Sequence, residues 1–223
     1  WIGQAGSSLS QATYVPPPVP EMETALSDWE RFLHTEDDIP LLIKIGLAHA
    51  QFETIHPFLD GNGRIGRLLI TFLLCEKAVL TQPVLYLSHY FKARRTEYYE
   101  RLQNIRDRGE WERWLGFFLD GVASVSSEAT QTARGIVDLR EADRSRIQES
   151  FGRTAANGLK VLERLFSQPI ISVQTIVELT GVTFTAANSL MERFVNHGVL
   201  VETTGQLRYR RFAYKKYIDL FTD

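Results

Sequence analysis

The sequence predicts a mainly α protein, and three observations carry that prediction. Apolar residues recur every three or four positions in segment after segment, the period of a helix face and not of a strand. One dense polar stretch, His56 to Arg67, runs straight into such a segment. Near the C-terminus, three helical stripes are followed by two short β-rich runs, the order of a winged helix-turn-helix. A hydrophobic share of 44% and a charged share of 23% suit a soluble globular chain. Its 223 residues allow one large domain or two smaller ones.

Residues 1–20 are rich in Gly, Ser, Gln and Pro and predict no helix. The prolines at 16–18 favour extended backbone. Residues 21–34 predict a helix with Met22, Leu26, Trp29, Phe32 and Leu33 on one side. Residues 39–55 predict a second, with Leu42, Ile45, His49, Phe52 and Ile55 as its stripe and Pro40 in its first turn. Pro57 ends that helix just after His56. A third helix is expected from near Asn62 to about Val79, apolar nearly all round and so the buried central helix. After a connection at Pro83, helices are expected at 84–92 and 93–106, then at 110–127 and 128–149. The last of these is polar and reads as a connector. Beyond it, Leu159, Leu162, Leu165 and Phe166 form a stripe. Ser172 caps a short helix ending at Gly181, residues 183–196 form a third, and 199–201 with 207–213 form a two-stranded wing. The expected domains are therefore 1–127, a connector at 128–149, and 150–223.

Charge supports the division. Residues 1–150 carry 16 basic and 21 acidic side chains, and residues 151–223 carry 9 and 6. A net charge of −2 argues against broad nucleic-acid affinity. The single cysteine, Cys75, lies in an apolar helical run and reads as a small buried hydrophobe. Being single, Cys75 makes no internal disulfide, so a reducing, cytoplasmic setting fits; no apolar run is long enough to span a bilayer, so no membrane is expected. The histidines, His34, His49, His56, His89 and His197, are scattered and suggest no zinc site. His49 reads as a satisfied core histidine beneath the polar stretch.

That stretch, His56-Pro-Phe-Leu-Asp60-Gly-Asn62-Gly-Arg64-Ile-Gly-Arg67, suits phosphate chemistry. Asp60 can hold a divalent metal through oxygen. Gly61 and Gly63 let backbone N–H groups turn toward an anion, and a helix starting at Asn62 adds its N-terminal partial charge. Arg64 and Arg67 share a helix face and can fork onto phosphate oxygens. His56 can take a proton near neutral pH. The embedded Gly61-x-Gly63-x-x-Gly66 matches the dinucleotide fingerprint as a bare pattern, but a helix and not a buried strand precedes it. A Walker loop is excluded because no Gly-Lys-Ser/Thr is present.

The stretch resembles the Fic family signature, His-x-Phe-x-Asp/Glu-Gly-Asn-Gly-Arg-x-x-Arg, at every fixed position. Trp1-Ile2-Gly3, Tyr14-Val15-Pro16-Pro17-Pro18, Phe52-Glu53-Thr54-Ile55-His56, Leu85-Tyr86-Leu87-Ser88 and Tyr98-Tyr99 extend the likeness to about residue 125. The resemblance implies a Fic-type helical domain with a small β-hairpin flap, placed near residues 10–16, against which a protein target pairs as an added strand. It implies transfer of AMP from ATP, with Mg²⁺ on Asp60, to a Ser, Thr or Tyr hydroxyl. His56 is then the general base. Gly61, Asn62, Gly63, Arg64 and Arg67 hold the phosphates, and Tyr99 borders the adenine. UMP, phosphocholine or phosphate are alternative groups. A restraining Ser/Thr-x-x-x-Glu-Gly/Asn helix is implied too. Ser145-x-x-x-Glu149-Ser150 fails at its last position, so the restraint is expected upstream of Trp1 or on another protein. Residues 150–223 suit DNA, a protein, or a second copy of the chain. A DNA-binding regulator that senses nucleotide is the rival reading, resting on Arg193, Arg208 and Arg210.

Overall fold

The computed structural model describes residues 2–3, 8–81 and 86–221. The connection expected at Pro83, the first residues of the helix expected at 84–92, and Trp1 and Leu85 of the resemblance lie outside them. The chain divides into two compact units, Trp1–Ala129 and Thr130–Asp223.

The first unit is helical. It contains α1 (Val19–His34), α2 (Leu41–Ile55), α3 (Asn62–Glu76), α4 (Leu87–Ala93), α5 (Arg95–Arg108) and the first half of α6 (Trp111–Ser150). Pro20 sits in the first turn of α1, where its missing N–H costs nothing. The stripe predicted on α1 is only half-buried. The central helix is α2, on which Ile45, Ala48, Ala50, Phe52 and Ile55 are each no more than 4% exposed. The indoles of Trp29 and Trp114 donate to the carbonyls of Ala48 and Gly46 across its flanks, each at 2.8 Å. Gly46 lets α6 approach, since a Cβ there would lie 3.0 Å from both Leu115 and Phe118.

This corrects the expectation for α3. Its buried positions are Asn62, Gly66, Ile70 and Leu74, one narrow stripe at a spacing of four. Leu68 and Phe72 face outward, about half exposed. Apolar residues all round a helix do not bury it when neighbours cover one side only. Cys75 is free and partly exposed. Near the N-terminus, Ile2 and Tyr14 form an isolated antiparallel bridge, and Leu9–Gln11 form a 3-10 turn.

The helices expected at 110–127 and 128–149 are one, α6. From Thr130 onward α6 belongs to the second unit, where Asp143 and Ile147 are buried. It is followed by α7 (Ala155–Leu165), β1 (Ile170–Ile171), α8 (Val173–Thr180), α9 (Phe184–Asn196), β2 (Val201–Glu202), β3 (Phe212–Ala213) and α10 (Lys215–Asp219). Ser172 caps α8 through a capping box with Thr175, and Gly181 ends it at φ 70°. The strands pair antiparallel in the order β1-β3-β2, with Ala213 opposite both Ile170 and Val201. Strand pairing does not reach back to residue 207. Leu207 is fully exposed, and Tyr209 sits at φ 58°, which breaks the ladder. The core gathers Phe151, Leu162, Ile176, Met191, Phe194 and Tyr214. Among the described residues no helix is long and apolar enough to cross a membrane.

Candidate active site

Two helix ends meet at the site. Helix α2 stops at His56, which takes the left-handed conformation, φ 50° and ψ 55°, uncommon for a residue with a Cβ. Helix α3 starts at Asn62, with Gly61 as its left-handed N-cap at φ 87°. Gly61 accepts the first helical bonds, from the N–H groups of Arg64 and Ile65, both at 3.0 Å. The N–H groups of Asn62 and Gly63, ahead of those bonds, have no intrahelical acceptor.

The loop between is tied by Asn62. Its Oδ1 accepts from the Phe58 N–H at 2.9 Å, and its Nδ2 donates to the Phe58 carbonyl at 2.5 Å. The amide expected to reach a phosphate is thus engaged inside the loop, and Asn62 is 2% exposed. It shapes the loop from inside. Asp60 is solvent-facing and pairs with Arg64 at 3.0 Å, an exposed contact of little energetic weight. Among the described residues no cluster of three or more His, Cys, Asp or Glu could hold a metal. A single exposed carboxylate beside an anion cradle still fits Mg²⁺, which commonly takes one carboxylate, water and substrate phosphate oxygens.

Beneath the cradle lies a buried polar floor that sequence reasoning did not assemble. Glu53 is 6% exposed, and its Oε1 is buried with no hydrogen-bond partner among the described residues. Burial raises its pKa, while Arg67, Arg106 and the Tyr98 hydroxyl oppose the rise. A Cβ on Gly66 would lie 2.5 Å from that Oε1, so the glycine admits the carboxylate to the face of α3. Arg67 folds back over Gly63, with its Nη1 3.1 Å from where a Cβ would stand. His49 donates from Nδ1 to the Gly66 carbonyl and accepts at Nε2 from the Tyr98 hydroxyl, both at 2.9 Å. The carbonyl can only accept, which fixes the tautomer. Burial holds the His49 imidazole down at about 4, so it is neutral. It is a satisfied core histidine that positions α3.

Around His56, Arg106 of α5 donates from Nη2 to the Glu53 carbonyl at 2.9 Å. Its guanidinium stacks 4.0 Å over the Tyr14 ring. The Tyr14 hydroxyl donates to the Thr54 carbonyl at 2.8 Å. Burial pushes the His56 pKa below its ordinary value; Arg106 adds to this and the backbone of Glu53 opposes it. The imidazole is therefore ready to accept a proton at neutral pH. Beside Arg64 and Arg67 lies a cavity of about 400 Å³, lined by Leu68, Thr71, Phe72, Tyr86, Leu87 and Ser88. Tyr99 is not among its lining residues; it is 52% exposed, with Arg95 over its ring. The aromatics that line the cavity are Phe72 and Tyr86.

Of the expected site residues, the fold brings His56, Asp60, Gly61, Asn62, Gly63, Arg64 and Arg67 around one loop, and Tyr99 is not among the residues lining the cavity beside the arginines. Glu53, Tyr98 and Arg106 were not assigned to the site from sequence. Glu53 had a signal, a carboxylate between Phe52 and Ile55 on an apolar helix. Arg106, in a charge-rich segment, had none.

Residues 3–74 match the model of the Fic/DOC family. A probable protein adenylyltransferase of Aquifex aeolicus is 40% identical over 72 residues, covering 31% of this chain and 22% of that one. The protein adenylyltransferase Fic of Drosophila yakuba is 32% identical over 109 residues, covering 48% and 21%. The chain thus spans about a fifth of the length of these curated relatives. The crystal structure of a Fic family protein from Desulfovibrio desulfuricans superposes with a TM-score of 0.53 at 19% identity, over 90% of this chain and 57% of that one. The helix ends, the glycine-turned loop and the two arginines all lie in or beside the segment, residues 3–74, that is similar to the Fic/DOC family.

Proposed function

We propose that this protein transfers AMP from ATP to a Ser, Thr or Tyr hydroxyl of a protein target. One observation supports this above the others. A neutral histidine at the end of α2 and the open first turn of α3 are joined by five intervening residues that the Asn62 clamp ties. In this reading the histidine is the proton acceptor and the helix start beside it is the anion cradle.

In this reading the backbone N–H groups from Gly61 to Gly63 hold the α-phosphate. Arg64 leaves Asp60, and with Arg67 it binds the outer phosphates. Asp60, once freed, would hold Mg²⁺, which when bound offsets phosphate charge. The target oxygen attacks the α-phosphorus, and its proton passes to His56 Nε2, the ring nitrogen left by the buried Nδ1. The bond from the α-phosphorus to the bridging oxygen breaks, and pyrophosphate departs on the arginines. The extended segment around Tyr14 offers its backbone to the target strand.

The test is incubation with Mg²⁺ and, separately, ATP, UTP and CDP-choline, reading adduct masses on this protein and on lysate proteins. An AMP adduct is expected, and its absence with all other adducts also absent would refute transferase activity. His56→Ala should lower transfer by at least about a hundredfold while nucleotide affinity stays within about twofold.

A second reading concerns residues 150–223, read as a winged helix-turn-helix that touches duplex DNA. Its support is a groove of about 620 Å³ between α9 and the β2–β3 loop, lined by Asn188, Arg208, Arg210 and Arg211. Two of the arginines cited from sequence are engaged within the fold. Arg193 donates to the Phe151 carbonyl at 3.3 Å, and Arg210 to Asn188 Oδ1 at 2.8 Å. Anisotropy with a labelled duplex should show affinity falling between about 50 and 200 mM salt, and Arg208→Ala should flatten that slope. Self-association, with no salt-dependent duplex binding, would favour a homodimer interface.

A further inference from the structure

We propose that Arg106 is a positioning residue which, together with Tyr14, grips the last carbonyls of α2 and so fixes where His56 stands. The inference rests on the reading of His56 as the base, and its test is chosen to stand apart from that reading.

The end of α2 needs outside partners. The last carbonyls of a helix have none within it, and Pro57 has no N–H to offer. Two side chains from two other segments supply them. Arg106 takes the Glu53 carbonyl at 2.9 Å and reaches Thr54 Oγ1 at 3.4 Å. Tyr14 takes the Thr54 carbonyl at 2.8 Å. The two clamps stack on each other at 4.0 Å. A third bond, from Arg106 Nη1 to Gln103 Oε1 at 3.2 Å, aims the guanidinium.

His56 follows the clamped carbonyls after one buried helical residue, Ile55, and is held in its left-handed conformation. Its position is a direct consequence of where those carbonyls sit. A displacement of about 1 Å in a reacting group costs on the order of a hundredfold in rate. The same contacts join Tyr14, in the segment that the proposed target strand would meet, to the base. A target drawn onto that segment therefore tightens the clamp on the helix that carries His56. In the proposed reading phosphate binding uses the other helix end, α3, to which Arg106 makes no hydrogen bond among the described residues.

The experiment compares wild type, Arg106→Lys, Arg106→Gln and Tyr14→Phe by amide hydrogen exchange, without nucleotide or target, and by transfer kinetics. Arg106→Gln should speed exchange in residues 52–58 and 8–18 and leave α3 unchanged. It should lower kcat by at least about tenfold with the MgATP dissociation constant within about twofold of wild type. Arg106→Lys keeps the charge but loses the fork, and should show the same local pattern at smaller size. Tyr14→Phe should lower kcat by about threefold, consistent with one lost hydrogen bond in a retained stack. If Arg106→Gln is too unstable to study, Arg106→Lys decides the matter on the same readouts. Unchanged exchange at 52–58, acceleration spread evenly over the first unit, or kcat and affinity falling together would overturn the proposal. A wild type that transfers nothing would refute the proposed function alone, because exchange is read without any reaction.

Discussion

His49 shows how one residue ties stability to the site. It is fully enclosed, gives its Nδ1 proton to Gly66 on α3 and takes one from Tyr98 on α5. Its pKa is about 4 in the folded protein against an ordinary 6.5. Between those values the unfolded chain binds a proton that the folded chain excludes. Stability is therefore fully present above about pH 6.5, falls as pH drops to about 4, and levels off below, a loss of roughly 3 kcal/mol from this group. Urea midpoints at about pH 7 and pH 4.5 should differ in wild type, and the difference should shrink in His49→Gln. An equal difference in both proteins would remove His49 from this role. Glu53 and Asn62 teach the complementary lesson. Their residue types were readable as polar and chemistry-bearing, yet one became the floor of the site and the other its clamp. Only the contacts distinguish those jobs from ligand binding.

Among elements, local rules succeeded where both partners of a contact lie close in sequence. Ser172 and Gly181 bracket α8 as capping chemistry requires, and the box with Thr175 completes it. Ser172→Ala should cost the second unit about 1 kcal/mol by denaturant unfolding; no change would mean the box is idle. Local rules failed where burial depends on distant neighbours. Helices α2 and α3 are both rich in apolar residues, but α2 lies among α1, α3, α5 and α6, while α3 is covered on one side. Strand β1 escaped notice because two residues carry no period. The expected strand at 207–213 shrank to Phe212–Ala213 because Tyr209 turns left-handed. The break between helices expected near 127 is absent, since a change from apolar to polar composition does not itself end a helix.

At the scale of the molecule, the two units carry separate cores, one around Trp114 and Phe118 and one around Phe151 and Phe194. Gly158 belongs to the second. A Cβ there would stand 2.8 Å from Ile147 and 2.9 Å from Phe151, both buried side chains with nowhere to go. Gly158→Ala should destabilise the second unit by about 1–3 kcal/mol and leave MgATP binding by the first within about twofold. Calorimetry of unfolding and of binding checks both halves. A loss of nucleotide affinity in that variant would show that the cores depend on each other.

The sequence by itself determined the helical class, most of the helices in their order, and the loop that carries His56, Asp60, Gly61, Gly63, Arg64 and Arg67. Those features depend on neighbours within a few turns, and period, capping and glycine placement record them directly. Tertiary structure alone decided that Arg106 and Tyr14 hold the end of α2, that Glu53 lies beneath Gly66, and that Tyr86, not Tyr99, borders the cavity beside the arginines. Arg106 stands 53 positions from the carbonyl it grips. A contact across that separation leaves no local period. It exists only because core packing brings α5 against α2.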